Sequence, residues 1–259
     1  MQLQVIIDCF PESARRYTAG YVVVAVDVIR ATTSAITAVA SGRRCFTAPS
    51  LKHSQALAAR LENPLLVGEL GGDMPDGFDM NNSPVELLQR TDRDRPAVLL
   101  STSGTKLIDE AQNADLTLLA CFRNWKATAR FLAGKFNRIA LIGAGSRGEF
   151  REEDQMCCAW IADELLVDGH SAANEETLAL IHRWRGAEPG ACVVSNSAKY
   201  LLRTGQEKDL DFITTHVNDL SRVFVVRAGE VEELQAAASS NWPRVDFAAN
   251  GWRAHAGSA

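Results

Sequence analysis

The sequence predicts an α/β fold, a three-layer α/β/α arrangement around a mostly parallel sheet, with a helical segment in the C-terminal third. Three observations carry this. Short runs rich in Val, Ile and Leu alternate with longer helix-period segments through the first two thirds of the chain, as βαβ units require. The runs lack strict polar alternation, so their strands are expected to be covered on both faces. Over residues 152–204 the pattern changes to consecutive helices, with turns at Gly169-His170 and Gly186-Ala-Glu-Pro-Gly190.

The apolar runs, each of strand length, are 4–7, 21–26, 44–47, 65–68, 97–100, 116–119 and 138–142. Helical periods fall at 32–40, 51–61, 84–89, 105–112 and 125–132. Ser50 and Ser83 suit helix N-caps, and Pro84 suits a first helical turn. A late run, 222–226, is expected to return as a strand. Residues 1–235 are expected to form a single domain, with 152–204 as a helical subdomain or cap within it. The Ala-, Ser- and Gly-rich residues 236–259 are expected to be a partly ordered tail.

Composition narrows the function classes. The net charge is −5 and Lys and Arg are scattered rather than gathered on one stripe, which argues against nucleic acid as a partner. No apolar run approaches the roughly 18 residues of a membrane span, and no basic flank precedes a long apolar stretch at the N-terminus. The six cysteines include no CxxC pair, so reduced, mostly buried thiols are expected. These features point to a cytoplasmic protein, and a compact α/β metabolic enzyme is expected to be a homodimer.

In a parallel α/β sheet the ligand site lies beyond the carboxyl ends of the strands. Five successive strand ends here carry polar residues. Run 21–26 leads into Asp27-Val-Ile-Arg30-Ala-Thr32-Thr33, and run 65–68 into Glu69-Leu-Gly71-Gly72-Asp73 and then Asp79-Met-Asn81-Asn82-Ser83-Pro84. Run 97–100 leads into Ser101-Thr-Ser103-Gly104-Thr105-Lys106, run 116–119 into Ala-Cys121-Phe-Arg123-Asn124, and run 138–142 into a glycine-rich, acidic stretch.

Each segment has two readings. Asp27 is able to hold a hard cation or act as base or nucleophile, and Arg30 to clasp an oxyanion; the bland alternative is an ion pair that fixes the loop. Asp27 does not sit in the DxDxT spacing of aspartyl-phosphate phosphatases. Glu69 before a glycine pair either faces a ligand, which Gly71-Gly72 would let the backbone approach, or solvates a loop. The turn 101–106 combines small hydroxyl residues, a glycine and a helix start, a cradle for phosphate or sulfonate, or else an N-cap turn.

Gly143, Gly145 and Gly148 form a literal GxGxxG after an apolar run. A dinucleotide turn would need a second strand and an acid about 20 residues further on, and the sequence instead continues into helix. Glu149, Glu152, Glu153 and Asp154 crowd the helix start where a pyrophosphate would sit. Acids there cap the helix or bind a cation, which leaves Glu153 or Asp154 as a candidate metal ligand and makes the glycine spacing a coincidence. His53, His170, His182, His216 and His255 lie away from the strand ends, Ser101 and Ser103 lack a GxSxG elbow, and Cys121 lacks a His partner.

Taken together, Asp27-Val-Ile-Arg-Ala-Thr-Thr33, Gly68-Glu-Leu-Gly-Gly72, Gly77-Phe-Asp-Met-Asn-Asn-Ser-Pro84, Ser101-Thr-Ser-Gly-Thr105, Asn124, Gly148 and Glu153-Asp-Gln-Met-Cys157-Cys-Ala159 resemble the 2-phosphosulfolactate phosphatase family. The resemblance runs from about Asp8 to Val226. It implies an α/β fold and Mg²⁺-dependent hydrolysis of 2-phosphosulfolactate, or a similar small phosphorylated acid, to the hydroxy acid and phosphate, a step of coenzyme M biosynthesis. On this resemblance Asp27, Arg30 and Glu69 are the expected catalytic residues, and Mg²⁺ is expected on Asp27, Glu69 and either Glu153 or Asp154. Substrate contacts are expected from Thr32, Thr33, Asn82, Ser83, Ser103, Gly104, Thr105, Asn124 and Arg147. Arg123 stands where smaller side chains are usual and is expected to read an anionic tail. The alternatives from other classes are a non-catalytic binder of phosphorylated or sulfonated metabolites and, third, a dinucleotide-dependent oxidoreductase.

Overall fold

A computed structural model describes residues 3–234; the expected tail at 236–259, with His255, lies outside the described residues. Ten strands form one sheet. They are β1 (Gln4–Cys9), β2 (Val22–Val26), β3 (Cys45–Ala48), β4 (Leu65–Gly68), β5 (Ala97–Leu100), β6 (Leu116–Ala120), β7 (Arg138–Gly143), β8 (Ser171–Ala172), β9 (Phe224–Arg227) and β10 (Glu230–Glu233). Nine α-helices are described: α1 (Ala31–Ala40), α2 (Leu51–Ala58), α3 (Pro84–Gln89), α4 (Gly104–Glu110), α5 (Trp125–Leu132), α6 (Glu152–Val167), α7 (Glu175–Trp184), α8 (Asn196–Arg203) and α9 (Glu207–Thr215).

The strand order is β4-β5-β3-β10-β9-β6-β2-β7-β1-β8. It divides into two parallel blocks, β4-β5-β3 and β6-β2-β7-β1-β8. The hairpin β9–β10 joins them, antiparallel to β6 on one side and to β3 on the other. Ala228 and Gly229, with φ of 49° and 80°, make its two-residue turn, the left-handed pair that matches strand twist. The sequence reading anticipated β9 but neither β10, whose Glu-Val-Glu-Glu reads as helical, nor the two-residue β8.

Burial explains the layers. Every residue of β2 is buried, with Val22, Val24 and Val26 packing into one core and Val23 and Ala25 into another. The first core takes Phe131 and Leu132 of α5, Met156 to Ala162 of α6 and Ile181 of α7. The second takes Ile36 of α1, Leu107 and Ile108 of α4, and strand residues of both blocks, including Leu65, Val67 and Leu99. The sheet therefore curls around α1 and α4, and α1 is buried along its length from Ala31 to Ala38. A helix enclosed this way is apolar or small all round, which suits Ala-Thr-Thr-Ser-Ala-Ile-Thr-Ala-Val-Ala. Within 152–204, α6 and α7 lie in the helical layer against β1, while α8 packs on α9.

The five strand ends do not belong to one parallel edge. Antiparallel pairing on both sides of the hairpin makes the two blocks run in opposite senses. Twist of roughly 20–25° per strand pair accumulates across the sheet. The curled sheet thereby brings the start of α4, after β5, against Asp27, after β2. Six cysteines are free, five of them buried, and no described helix is long and apolar enough to cross a membrane.

Candidate active site

A cleft of about 440 Å³ opens where the ends of β2, β4, β5 and β7 meet α8. Of the candidate residues, Asp27, Arg30, Glu69, Asn82, Ser103, Arg147 and Asp154 line it.

Asp27 sits on the cleft floor, 8% exposed. Its carboxyl is pushed up to about 7, first by burial and then by the charges of Glu69 and Glu153, while the Ala31 N–H and Arg30 pull the other way. Asp154, from the first turn of α6, is held well above the usual carboxylate range by burial and by Asp27 and Glu153. Its Oδ1 accepts from the Val28 N–H at 2.9 Å and its Oδ2 from the Gly145 N–H at 3.2 Å, so α6 is tied to the loops after β2 and β7. Glu153 lies behind the cleft, raised by burial, with its Oε2 buried and unpartnered. Buried carboxyls this close, with Glu153 raising both Asp27 and Asp154 and Asp27 raising Asp154, call for protons or a cation to neutralise them. Among the described residues no three acidic, imidazole or thiol groups are already arranged to chelate an ion. Mg²⁺ does not need such a cage, because it binds through one or two carboxylates and keeps water. Asp27 and Asp154 at the cleft therefore fit it.

Glu69 is spent on its own loop. Its oxygens accept from the Thr102 N–H at 2.7 Å, the Thr102 hydroxyl at 2.8 Å and the Gly72 N–H at 2.7 Å, so its charge reaches Asp27 while its lone pairs hold β4's loop to β5's. Arg30 is 5% exposed; its Nη1 donates to Asp209 Oδ2 at 2.5 Å and its Nη2 to Asn81 at 3.0 Å. Asp209 Oδ1 accepts from the Ser83 hydroxyl at 2.6 Å. The ion pair of Arg30 is with Asp209 of α9 rather than with Asp27. Gly104 begins α4 so close to Asp27 that an added Cβ would lie 2.2 Å from Asp27 Oδ2. Ser103 at the N-cap of α4 makes no side-chain cap bond, which leaves its hydroxyl available to the cleft.

The structure does not bring Thr32, Thr33, Ser83, Thr105 or Asn124 to the cleft. Their polar atoms are used within the fold, mostly on backbone. The Thr32 hydroxyl contacts the Asp27 N–H, the Asp27 carbonyl and the Ala120 carbonyl. Thr33 donates to the Val28 carbonyl, Ser83 caps α3, and Thr105 exchanges bonds with Ser101 across the turn. Asn124 Oδ1 accepts from the Cys121 N–H at 3.0 Å, and its Nδ2 donates to the Leu119 carbonyl and to Thr128. Arg123 does not read an anionic tail either. It pairs with Asp219 at 2.5 Å, bonds Thr37 and stacks over Phe212. Removing the amide in Asn124→Ala is expected to cost about 1–3 kcal/mol of stability, the penalty for orphaned buried backbone groups. Chemical denaturation should show that loss, with KM unchanged in the protein that remains folded.

The glycines after β7 serve packing. A Cβ on Gly143 would meet the Phe150 ring at 2.3 Å, and one on Gly145, with φ of 59°, would meet the Glu149 carbonyl at 2.8 Å and Cys9 Sγ at 2.9 Å. The chain turns tightly between Ser146 and Glu149 and places the Gly145 N–H on Asp154. The acids stand at the helix start, as the sequence implied.

Sequence reasoning missed the wall made by α8. Asn196, Ser197, Lys199, Tyr200 and Arg203 line the cleft, as do Thr102, Ser146 and Arg151. Ser195-Asn196-Ser197 ahead of a helix was the available signal, with Ser195 capping α8; nothing local links it to strand ends some fifty or more residues earlier. Asp209, the partner of Arg30, is likewise visible only in three dimensions.

The chain is similar to known proteins over most of its length. The family model described as 2-phosphosulpholactate phosphatase matches residues 9–229. A probable 2-phosphosulfolactate phosphatase of Synechococcus sp. (strain CC9605) is 34% identical over 199 residues, covering 73% of this chain and 82% of the relative. One from Pseudothermotoga lettingae is 36% identical over 158 residues, 60% of this chain and 68% of its own. One from Clostridium perfringens (strain SM101 / Type A) is 26% identical over 224 residues, 84% and 90% respectively. With a match that spans strands β2 to β7, helix α8 and the acids between them, the chain belongs to the 2-phosphosulfolactate phosphatase family, a family of phosphoric monoester hydrolases.

Proposed function

We propose that this chain hydrolyses the phosphomonoester of 2-phosphosulfolactate, or of a similar small phosphorylated acid, to the hydroxy acid and inorganic phosphate, with Mg²⁺ held by Asp27 and Asp154. The observation that carries the proposal is the buried, mutually repelling carboxylate set at the cleft floor, directly beside the start of α4. Mg²⁺ would supply neutralisation of charge on the phosphoryl oxygens. The protein does the rest. Ser103, whose hydroxyl is uncommitted at the N-cap of α4, faces the phosphoryl oxygens with a donor and the favourable dipole of the helix start. One carboxylate of the Asp27–Asp154 pair takes the proton of the attacking water, whose oxygen forms the new bond to phosphorus as the ester P–O bond breaks. The leaving alkoxide takes up a proton and departs as the hydroxyl of the product acid.

A carboxyl that titrates at about 7 gives this proposal a pH signature. Below that value a cation must displace the proton of Asp27; above it Asp27 is already ionised. Mg²⁺ affinity is expected to rise as pH climbs to about 7 and then level. Calorimetric titration at pH 6 in buffers of different ionisation enthalpy should detect proton release on binding. Binding without proton release, or phosphate release indifferent to Mg²⁺ and chelator, would remove the metal from the site.

A further inference from the structure

Cations line the cleft as well as carboxylates, and those of α8 are not used by the phosphoryl chemistry. The floor carries Asp27 and Asp154. Another wall is α8. Its Asn196 donates to Glu149 at 2.8 Å, and Asn196, Lys199, Tyr200 and Arg203 all line the cleft. Their spacing of i, i+3, i+4 and i+7 puts them on one helical face, while Ala198 and Leu201 are buried in the apolar cluster with Leu210 of α9. Among the described residues neither Lys199 nor Arg203 has an acidic partner, although most other arginines of the chain do. Like charges at i and i+4 destabilise a helix slightly, so two unneutralised cations on the face turned to the cleft call for an anion from outside. Arg147 reaches the same wall from the loop after β7. It also lacks an acidic partner among the described residues and only donates to the Gly71 carbonyl at 3.1 Å. Tyr200 donates to the neighbouring Gly72 carbonyl at 2.8 Å, and a Cβ on Gly72 would lie 2.6 Å from that hydroxyl. These two bonds tie α8 and Arg147 to the loop after β4.

We propose that Lys199 and Arg203 of α8, with Arg147, bind the second anion of the substrate, a sulfonate or carboxylate, and so select phosphorylated acids over neutral phosphomonoesters. The proposal rests on the phosphatase reading above. The phosphoryl group lies by Asp27 beside α4, and the distal anion lies against α8, where charge-assisted bonds form. The three cations are specificity determinants and take no part in bond breaking.

The test compares wild type with the double variant Lys199→Gln/Arg203→Gln on 2-phosphosulfolactate and on phenyl phosphate, both with Mg²⁺. Both positions are exposed, so folding is not at risk. The ratio of kcat/KM for the acid over the neutral ester is expected to fall at least about tenfold, through KM, since each lost charge-assisted bond costs that order of affinity. In wild type the KM for the acid should also rise with ionic strength, and this dependence should weaken in the variant. An unchanged ratio overturns the subsite. If wild type releases phosphate from neither ester, the phosphatase reading fails, and calorimetric binding of sulfolactate decides the subsite alone: affinity about tenfold weaker in the variant upholds it, and equal affinity overturns it.

Discussion

Asp27→Asn is expected to leave a folded protein that releases phosphate about 10²–10⁴-fold more slowly, the range associated with loss of a positioned acid–base group. The same change is expected to stabilise the metal-free protein at high pH. The wild-type carboxyl is raised from its ordinary 3.8 to about 7, so the folded chain holds that proton more tightly than the unfolded chain. The resulting stability is complete below about 3.8 and is lost as pH rises through about 7. Asparagine cannot ionise and does not lose it. At roughly 1.4 kcal/mol per pH unit, the ceiling on the gain is about 4 kcal/mol. Melting curves with chelator at pH 5 and pH 8 should show the variant's lead over wild type growing between the two, to its full size only at the higher pH. Near wild-type turnover, or a variant that melts earlier than wild type at pH 8, would refute the placement of a charged Asp27 at the centre of the site.

Gly104→Ala should be nearly as damaging for a steric reason. The added methyl would lie 2.2 Å from Asp27 Oδ2 and 2.6 Å from Ala31 Cβ, so it must push the carboxylate, α1 or α4. In an ordinary helix position alanine would gain about 1 kcal/mol over glycine. Here overpacking is expected to cost about 1–3 kcal/mol net, and a shift of about 1 Å at Asp27 to cost about 10²-fold in turnover. Gly190 has nothing within 4 Å of an added Cβ, and Gly190→Ala serves as the control that should leave both properties unchanged. A Gly104→Ala enzyme with wild-type kcat would show that α4 does not need its close approach to Asp27.

Several elements were legible because their causes are local. Runs such as 65–68 and 97–100 coincide with β4 and β5, and 84–89 and 125–132 with α3 and α5, since apolar runs, N-cap residues and Pro84 act within a few residues. The acids of α6 were readable for the same reason. Misplaced roles arose where a polar residue had a choice of partners. Thr32, Thr105 and Asn124 carry the groups that bind phosphate, but each is within four or five residues of an orphan backbone group, and a short side chain satisfies that group first. Arg30 and Arg123 looked free in sequence, yet each meets an aspartate, Asp209 or Asp219, from a segment more than ninety residues away.

The sequence by itself determined the α/β class, most of the strands and helices, and the carboxylate, glycine and hydroxyl motifs at the strand ends. Hydrophobic period, turn chemistry and helix-start acids are properties of neighbours along the chain, and they do not depend on how distant parts meet. Only the tertiary structure decided which strand ends share a cleft. The β9–β10 hairpin sets two parallel blocks in opposite senses, the curled sheet brings β4 and β5 round to β2 and β7, and β6's end is left outside. It also decided that α8 lines the cleft and that burial, with the charges of Glu69 and Glu153, lifts Asp27 toward neutrality. Desolvation and charge repulsion act through space, and residues distant in sequence set them.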